Sequence, residues 1–382
     1  MGLSARDEEL LARALDLAER GRGRTVPNPI VGAVVTIDGR VIGEGFHERA
    51  GQDHAEVVAL QAAAPELTAP DFDGVLRGAC IYVSLEPCSH FGRTPPCTDA
   101  LIAAGVTRVV VAATDPFPQV SGQGLARLRR AGVEVVLSGG HLERRARRQN
   151  GPFRKWAISG LPFVTYKYAM TLDGKVAAES GHSAWISGEA SRRLVHQERA
   201  ASDAIVVGAG TMRADDPLLT ARDVDAWRQP LRVVIDPRLT ISRNTALVQS
   251  VGEGPVLVVC GERAPQARRE EVAGWGIEVV GVESDAQGRP LPESVTRLLG
   301  GRDVQAVLLE GGHRLAGAWW EAGLVDRVMA FVAPLVVGGE AAPGPLSIPG
   351  HSRMDLAQRL QDTAVQEIGG DVLITGYIGV PY

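Results

Sequence analysis

The chain has 382 residues, 45% hydrophobic and 22% charged, with a formal net charge of −5 and a pI near 6.0. At about 100–200 residues per domain, this length predicts two domains, and the acidic balance argues against long nucleic acid or anionic membrane as partners. Residues 1–20 lack a signal-peptide core, and no stretch approaches the roughly 20 apolar residues of a membrane span, so we expect a cytoplasmic protein.

The first half alternates short predicted helices and strands. Apolar residues at helical spacing predict an amphipathic helix over 6–20, and Asp38-Gly39 joins two apolar strands at 30–37 and 40–46, a strong hairpin signal. Further elements are predicted in this order: helix 53–64, strand 79–85, helix 98–104, strand 107–113, helix 122–131 and strand 133–137. This alternation indicates a mostly parallel sheet between helices, ending near Gly139-Gly140.

The second half is predicted to be α/β again. Residues 141–150 are basic and are compatible with a nucleic-acid patch, but the segment is short and lacks aromatic residues, which favours a solvated connecting helix. Strands are predicted at 163–170, 204–207, 231–235, 255–259, 304–309, 325–333 and 371–377, and helices at 188–201, 292–299 and 313–322. The predicted domains are therefore 1–140 and 162–382, with a linker at 141–161.

The four cysteines do not form the framework of a small secreted protein. Cys80, Cys88 and Cys97 lie within eighteen residues, whereas Cys260 is distant. Cys80 and Cys260 fall in apolar runs and are predicted to be buried thiols. In a reducing compartment, the remaining close pair is better interpreted as metal ligands or reactive thiols.

A histidine and two cysteines have the context of a catalytic zinc site. His54 precedes a predicted helix, Cys88 follows a strand, and Cys97 begins another helix. One imidazole and two thiolates leave the fourth position of zinc open for water, whose pKa the metal lowers towards about 7. Glu56, two residues after His54, is predicted to shuttle the proton. The pattern matches the H-x-E and P-C-x-x-C signature of zinc nucleobase deaminases.

The spacing departs from that signature because eight residues separate Cys88 from Cys97. One alternative is that one cysteine is merely buried and the site is incomplete; another is that His90 is a rival ligand. A purely structural zinc site would need four protein ligands. The insertion brings His90 and Arg93 towards the metal, which suits a substrate that carries a phosphate.

Several longer motifs resemble the bifunctional deaminase–reductase family of riboflavin biosynthesis. The first half carries PNPIVG at 27–32, EGFHERAGQDHAE at 44–56 and SLEPCSHFGRTPPC at 84–97. The second half carries VTYKYAMTLDGKVA at 164–177, SGHSAWIS at 180–187, GAGTMRADDPLLTAR at 208–222 and LLEGGHRLAG at 308–317. The resemblance covers nearly the whole chain, in the family's order.

The resemblance implies a cytidine-deaminase-like three-layer α/β domain followed by a dihydrofolate-reductase-like α/β domain. It implies Zn²⁺-dependent hydrolytic deamination of 2,5-diamino-6-ribosylamino-4(3H)-pyrimidinone 5′-phosphate. NADPH would then reduce the ribosyl chain, giving 5-amino-6-ribitylamino-uracil 5′-phosphate. It also implies a homo-oligomer of at least two copies, with no nucleic-acid or membrane partner. The alternative is a monofunctional pyrimidine deaminase with a ligand-binding or dimerising second domain. An RNA-editing deaminase is disfavoured because only 5% of residues are aromatic.

The resemblance also implies roles for individual residues. In the first domain, Asn28 and His47 are expected in the pyrimidine pocket, and His90 and Arg93 in a substrate loop. Asn28, between two prolines, is equally interpretable as a turn residue. In the second domain, the residues expected to face the substrate are Ser183, Arg199, Leu219, Arg222 and Glu310. Those expected to face NADPH are Met170, Trp185, Thr211, Asp215, Gly311 and Gly312.

The chemistry of the second half is less determined. Gly208-Ala-Gly210 lacks the third glycine of a dinucleotide-binding fingerprint, whereas Gly311-Gly312 before a predicted helix suits a phosphate or a plain turn. Lys167 and Asp173 also fall on motif positions, and Lys167 and Glu310 are both candidates for the proton donor. Two alternatives stay open, since Trp185 is compatible with an ordinary core position and Arg199 with a helix surface.

Overall fold

A computed structural model of the chain describes residues 2–65, 73–91, 95–117 and 120–379. The chain forms two compact units, the first ending at Gly160 and the second beginning at Leu161. The helix predicted over 141–150 is present at 140–149 and is followed by a second helix at 151–159, and both belong to the first unit. In the described parts of the chain, no helix combines the length and the apolar character needed to cross a bilayer.

The first unit is a five-stranded mixed sheet with helices on both faces. Its elements are α1 Ala5–Ala18, β1 Gly32–Ile37, β2 Arg40–Phe46, α2 Ala55–Ala63, β3 Cys80–Val83, α3 Cys97–Ala103, β4 Arg108–Val111, α4 Gln123–Arg130, β5 Glu134–Leu137, α5 Gly140–Gln149 and α6 Gly151–Ser159. The strand order is β2-β1-β3-β4-β5. Because β1 pairs antiparallel with both β2 and β3, the sheet is mixed, not mostly parallel as the sequence predicts.

Alternation along the strands produces the three layers. On β1, Ala33 and Val35 pack into one core with α2, α3 and α4, while Val34 packs into a second core with α1 and α5. The hairpin predicted at Asp38-Gly39 is confirmed: both residues have positive φ (49° and 74°), as a tight two-residue turn requires. The sheet is therefore buried on both faces.

The second unit contains a nine-stranded sheet. Its elements are β6 Phe163–Thr171, α7 Glu189–Ala201, β7 Ala204–Gly208, α8 Ala209–Asp215, β8 Leu231–Ile235, α9 Ala246–Gln249, β9 Val256–Gly261, α10 Gln266–Ala273, β10 Glu278–Val282, α11 Pro292–Gly300, β11 Ala306–Leu309, α12 His313–Glu321, β12 Arg327–Ala333, β13 Gln361–Ile368 and β14 Asp371–Tyr377. The order is β10-β9-β8-β7-β11-β6-β12-β14-β13, parallel from β10 to β12. The carboxyl ends of β6, β11 and β7 lie side by side, where open parallel sheets bind ligands.

Several elements of this half are absent from the sequence prediction. The helix α10 has the polar sequence QARREEVA with one buried residue, Val272, so it carries no apolar stripe. The edge strand β13 is exposed along all but its last residue, and its sequence therefore shows no alternation. Both elements are specified by their neighbours more than by their own pattern.

A buried carboxylate fastens α1 to the first sheet. Asp7 forms a capping box with Ser4 at the start of α1. The same carboxylate accepts hydrogen bonds from the Tyr82 hydroxyl (2.8 Å) and the Arg108 guanidinium (2.6 Å). The hydrogen bond from Arg108 holds the pKa of Asp7 well below its usual range, although burial opposes the shift. The helix, β3 and β4 are thus joined at one charged group.

Asp7→Asn is expected to lower the free energy of unfolding by about 2 kcal/mol at neutral pH, because the neutral amide weakens the pair with Arg108. Since the folded-state pKa of Asp7 is depressed, its contribution is present above about pH 4 and is lost as the pH falls towards the folded value. Thermal unfolding of both proteins between pH 7 and pH 3 should show the difference shrinking in acid. Asp16→Asn, at an exposed position of the same helix, is the control. An equal loss at every pH would contradict the assignment.

Candidate active sites

Three side chains from separate segments meet above the first sheet. His54 is the N-cap of α2, Cys97 is the first residue of α3, and Cys88 lies in the loop after β3. The His54 Nδ1 atom is 3.1 Å from the Cys97 Sγ atom and 3.5 Å from the Cys88 Sγ atom, and the two sulfurs are 3.4 Å apart. The Cys97 backbone N–H donates to the Cys88 sulfur (3.3 Å). The N-terminus of α3 therefore directs an N–H group and its positive end towards the Cys88 sulfur.

The donor set fits zinc. All three ligand atoms lie within 4.8 Å of one another, and in the described ranges this is the only such group of three or more. The hydrogen bond with Cys97 lowers the pKa of Cys88 despite its burial and favours the Cys88 thiolate that a metal requires, while the same contact raises the pKa of Cys97. His90 is exposed and outside the cluster. The described residues thus offer three ligands, the number typical of a catalytic site with an open position.

Glu56 lies beside these ligands, one helical position after Ala55. It is 3% exposed. Burial raises the pKa of Glu56 to about 7, although the charge of His54 opposes the shift. A carboxyl group with a pKa near neutrality can both take up and release a proton, which is the property of a general acid–base.

Asn28 and His47 form a pair next to the zinc ligands. The His47 Nδ1 atom is 3.0 Å from the Asp53 carbonyl oxygen, so it must carry the proton; the Nε2 atom then accepts from the Asn28 amide at 3.1 Å. Burial lowers the pKa of His47, which keeps the ring neutral. The His47 ring packs edge-on against His54, with centroids 5.3 Å apart. Asn28 also closes a turn with Thr25, so the turn and pocket interpretations are compatible. Arg93 lies outside the described residues.

Glu86 orients the loop that carries Cys88, and the sequence prediction missed it. This carboxylate is 5% exposed. It accepts hydrogen bonds from the backbone N–H groups of Asp115 (3.2 Å), Gly122 (2.9 Å), Gly124 (3.0 Å) and Leu125 (3.4 Å). A Cβ atom on Gly124 would lie 2.0 Å from the Pro87 carbonyl oxygen, so the two segments approach closely. An acid placed at the end of an apolar strand, in Leu-Glu-Pro-Cys, is the available sequence signal.

In the second unit, Glu310 is paired with two cations. Its carboxylate receives two hydrogen bonds from Arg199, 2.6 Å from Nε and 3.0 Å from a terminal nitrogen, and the Lys167 Nζ atom lies 3.6 Å away. Burial alone would raise the pKa of Glu310, but the charges of Arg199 and Lys167 outweigh it and lower the pKa well below its usual range. Arg199 also donates to the Thr220 carbonyl (3.2 Å), so it is a buried partner and not a helix-surface residue.

Two predicted substrate residues lie in the segment before β8 and differ sharply in environment. Arg222 is exposed, and its guanidinium donates to the Thr220 hydroxyl (2.9 Å). The Leu219 side chain is 1% exposed and packs in an apolar core with Val207 and Val234. The expectation that Leu219 faces a ligand can therefore hold only for its peptide groups. Ser183, half-buried in the segment between β6 and α7, donates to Asp215 (3.3 Å).

Four of the six predicted cofactor residues lie in the segments that follow β7 and β11: Thr211, Asp215, Gly311 and Gly312. Gly311 and Gly312 follow β11, and Gly312 is the N-cap of α12. A Cβ atom on Gly312 would lie 3.8 Å from the Thr211 hydroxyl oxygen, which brings α8 next to this turn. A Cβ atom on Gly311 would lie 2.7 Å from a Leu315 methyl group, so that glycine is also required for packing. The free N–H groups of α12 suit a phosphate.

Three more residues on motif positions are Trp185, Met170 and Asp173. Trp185 is 76% exposed, with the Arg192 guanidinium 4.8 Å from its ring, so it is not an ordinary core residue. Met170 is half-buried on β6 and pairs with Val332 of β12. Asp173 accepts from the Gly338 N–H (2.8 Å) and so fastens the following loop. Trp185 thus presents an exposed aromatic face, and Met170 is a half-buried thioether one residue before the end of β6.

Comparisons with known proteins match both units. Two family models match: the RibD C-terminal domain over residues 162–374, and the cytidine and deoxycytidylate deaminase zinc-binding region over residues 4–113. The chain is 38% identical over 369 residues to riboflavin biosynthesis protein RibD of Bacillus amyloliquefaciens, covering 97% of this chain and 95% of the relative. It is 40% identical over 381 residues to RibD of Escherichia coli K12, with 96% and 98% covered.

Solved structures agree along the whole chain. Form 1 of Acinetobacter baumannii RibD is 34% identical with a TM-score of 0.82, covering 98% of this chain and 99% of the other. The diaminohydroxyphosphoribosylaminopyrimidine deaminase/5-amino-6-(5-phosphoribosylamino)uracil reductase of Thermotoga maritima is 35% identical, with the same TM-score and coverage. The predicted fold class, a deaminase domain followed by a reductase domain, is confirmed.

Glu86→Gln is expected to weaken zinc binding by about tenfold, because the amide replaces one accepting oxygen with an NH₂ group that faces backbone donors and shifts the Cys88 loop. Competition with a chromophoric chelator measures the affinity. Glu134→Gln, at a position with a 63% exposed side chain, is the matched control. Unchanged zinc affinity in Glu86→Gln would show that the Cys88 loop is held by other contacts.

Proposed function

The chain belongs to the RibD family of riboflavin biosynthesis proteins and is a bifunctional deaminase and reductase; on this premise we propose its substrates and the roles of its residues. The first domain deaminates 2,5-diamino-6-ribosylamino-4(3H)-pyrimidinone 5′-phosphate. The second reduces the ribosyl chain of the product with NADPH. The observation that carries the first assignment is the three-ligand cluster with buried Glu56 and the Asn28–His47 pair beside it.

In the deaminase site, His54, Cys88 and Cys97 hold zinc, which when bound supplies an activated water. Glu56 takes up a proton and delivers it to the departing amino group, a role for which its pKa near 7 is suited. Asn28 and neutral His47 bind the polar edge of the pyrimidine, since their pairing fixes both side chains. His90 and Arg93, in the loop between the cysteines, bind the phosphate end of the substrate.

In the reductase site, NADPH supplies the hydride. The phosphates of the cofactor bind at the Gly311-Gly312 turn and α12, with Thr211 and Asp215 alongside, and Trp185 and Met170 provide apolar contacts. Glu310 stays ionised, because Arg199 and Lys167 lower its pKa, and so holds no proton to donate near neutral pH. Lys167, 3.6 Å from Glu310, is therefore the proton donor of the two candidates.

Arg222 anchors the substrate phosphate in the second domain. Arg199 has the geometry for bidentate binding, but its Nε and one terminal nitrogen bind Glu310 while the other binds Thr220. Arg222 is exposed, and its guanidinium donates to a neutral group, the Thr220 hydroxyl. Arg199 then positions Glu310, and Ser183 contacts the sugar.

The protein is further proposed to be cytoplasmic and to assemble from at least two copies. Support for assembly comes from β13, the edge of the nine-stranded sheet, which is exposed along nearly its whole length. Val365, on this strand, is 68% exposed. An exposed, hydrogen-bonding edge with an apolar side chain is a ready surface for strand pairing with a second chain.

Incubating zinc-loaded protein with the diamino substrate, with and without NADPH, tests both activities. We expect ammonia in both reactions. NADPH oxidation, measured by absorbance at the nicotinamide band, should occur only after deamination. Glu56→Gln should abolish ammonia release while leaving reduction of the pre-deaminated substrate intact. If ammonia is released but NADPH is not oxidised, the reductase assignment is contradicted. If verified zinc-loaded protein releases no ammonia, the substrate assignment is contradicted.

Arg222→Ala is expected to raise the reductase KM for the phosphorylated substrate by about tenfold or more, since a charge-assisted hydrogen bond contributes about 1.5–3 kcal/mol. The KM for the dephosphorylated substrate should change little. Arg193→Ala, on the exposed side of α7, controls for loss of positive charge. If both KM values stay at their wild-type level, Arg222 is not the phosphate anchor.

A further inference from the structure

The segment Leu218–Arg222, here called the 218–222 loop, is fastened by side chains from outside it. The Leu218 carbonyl accepts from Arg232 (3.3 Å), and the Thr220 carbonyl accepts from Arg199 (3.2 Å). Ala221 is bound at both of its peptide groups: its N–H donates to the Gln229 side-chain oxygen (2.8 Å), and its carbonyl accepts from the Gln229 nitrogen (2.9 Å). Leu218, Thr220 and Ala221 are thus each held by a different polar side chain.

The loop needs this fastening because Leu219 has a left-handed backbone. Its φ is 56°, a conformation that costs a non-glycine residue of order 1 kcal/mol or more. The Leu219 side chain is buried in the core with Leu247 and Val258, so the turn directs this side chain inwards. Such strain persists only where surrounding contacts determine the backbone.

Gln229 acts from a rigid base. The residue before it, Arg228, forms an ion pair with buried Asp203. The Asp203 carboxylate also accepts from the N–H groups of Gln305 and Ala306, both at 2.8 Å, where β11 begins. Two residues after Gln229, the strand β8 begins at Leu231. The backbone on both sides of Gln229 is therefore fixed relative to the sheet. Through its two hydrogen bonds, the Gln229 carboxamide fixes Ala221 in turn.

Ala221 directly precedes Arg222, so its position decides where the arginine begins. The Arg222 N–H donates to the His196 Nδ1 atom (3.2 Å) on α7. With Ala221 held at both peptide groups and Arg222 held at its N–H, the guanidinium extends from a backbone with little freedom. A preformed loop avoids the ordering entropy that a flexible one would lose when a phosphate binds.

We propose that Gln229 is a positioning residue of the reductase, which holds Ala221 so that Arg222 presents a preformed site to a sugar phosphate monoester. This inference rests on the proposed role of Arg222. Gln229 acts through the loop and does not touch the substrate.

Gln229→Glu tests the proposal with minimal change of shape. The carboxylate still accepts from the Ala221 N–H, but it cannot donate to the Ala221 carbonyl and repels it. We expect the KM for the phosphorylated substrate to rise about three- to tenfold, the effect of one lost hydrogen bond, with kcat within about twofold. The NADPH dissociation constant and ammonia release by the first domain should be unchanged. Gln229→Met, which removes both bonds without adding charge, should reproduce the KM effect. Gln287→Glu, an exposed glutamine of the same unit, controls for the added charge.

A double variant separates the outcomes. If Gln229 acts through Arg222, Gln229→Glu combined with Arg222→Ala should have no larger KM than Arg222→Ala alone. Additive effects of the two substitutions on KM would overturn the proposal. A lower kcat and a lower thermal midpoint in Gln229→Glu, with unchanged KM, would also overturn it, because that result marks a purely structural residue. If Arg222→Ala raises KM and Gln229→Glu does not, this inference alone fails. If Arg222→Ala has no effect, the proposed phosphate anchor fails and the inference falls with it.

Discussion

Buried carboxylates must be compensated, and in this protein the compensation holds the catalytic loops in place. An ionised side chain away from water is costly unless charges or N–H groups surround it. Glu86 meets this requirement with four backbone N–H groups and so joins the Cys88 loop to the start of α4. Glu310 meets it with Arg199 and Lys167, which brings together residues of α7, β6 and the end of β11. The groups that compensate each buried carboxylate therefore also fix the position of the chain segments around it.

The same burial produces opposite acid–base behaviour in the two domains. Glu56 and Glu310 are both almost inaccessible to water. Burial dominates at Glu56 and raises its pKa to about 7, whereas two nearby cations dominate at Glu310 and lower its pKa. One carboxylate is thereby suited to carry protons, and the other to remain a fixed negative charge that orients Lys167. Neighbouring charges, not the type of residue, decide the role.

A second recurring device is a carboxamide that binds both peptide groups of one residue. Gln229 binds Ala221 in this way, and buried Asn150 binds Ile30 with two bonds of 2.9 Å. Each bound residue lies close to a proposed substrate-binding residue: Ile30 is two residues after Asn28, and Ala221 is one residue before Arg222. In both domains, a side chain from another segment, 120 positions away for Asn150 and eight for Gln229, replaces the partner strand that a short irregular segment lacks. The sites are consequently preformed without requiring regular structure at the substrate-binding residues.

The local sequence pattern by itself was sufficient to predict several elements of the fold and the residues of the zinc site. The 38–39 hairpin, the strands with alternating burial and the grouping of His54, Glu56, Cys88 and Cys97 are all readable from the sequence. Each depends on short-range spacing or on a motif with a chemical requirement. The polar helix α10 and the exposed strand β13 escaped prediction because neither has an apolar face to reveal its period.

Only the tertiary structure decided which polar groups meet. Arg199 binds Glu310 across 111 positions and Asn150 binds Ile30 across 120, and no local pattern encodes such pairs. The burial of the Leu219 side chain, the antiparallel pairing of β1 with β3, and the supporting roles of Glu86 and Gln229 are of the same kind. The physical reason is that hydrogen bonds and charge pairs depend on distance in space, whereas the sequence pattern reports only which residues prefer to be buried.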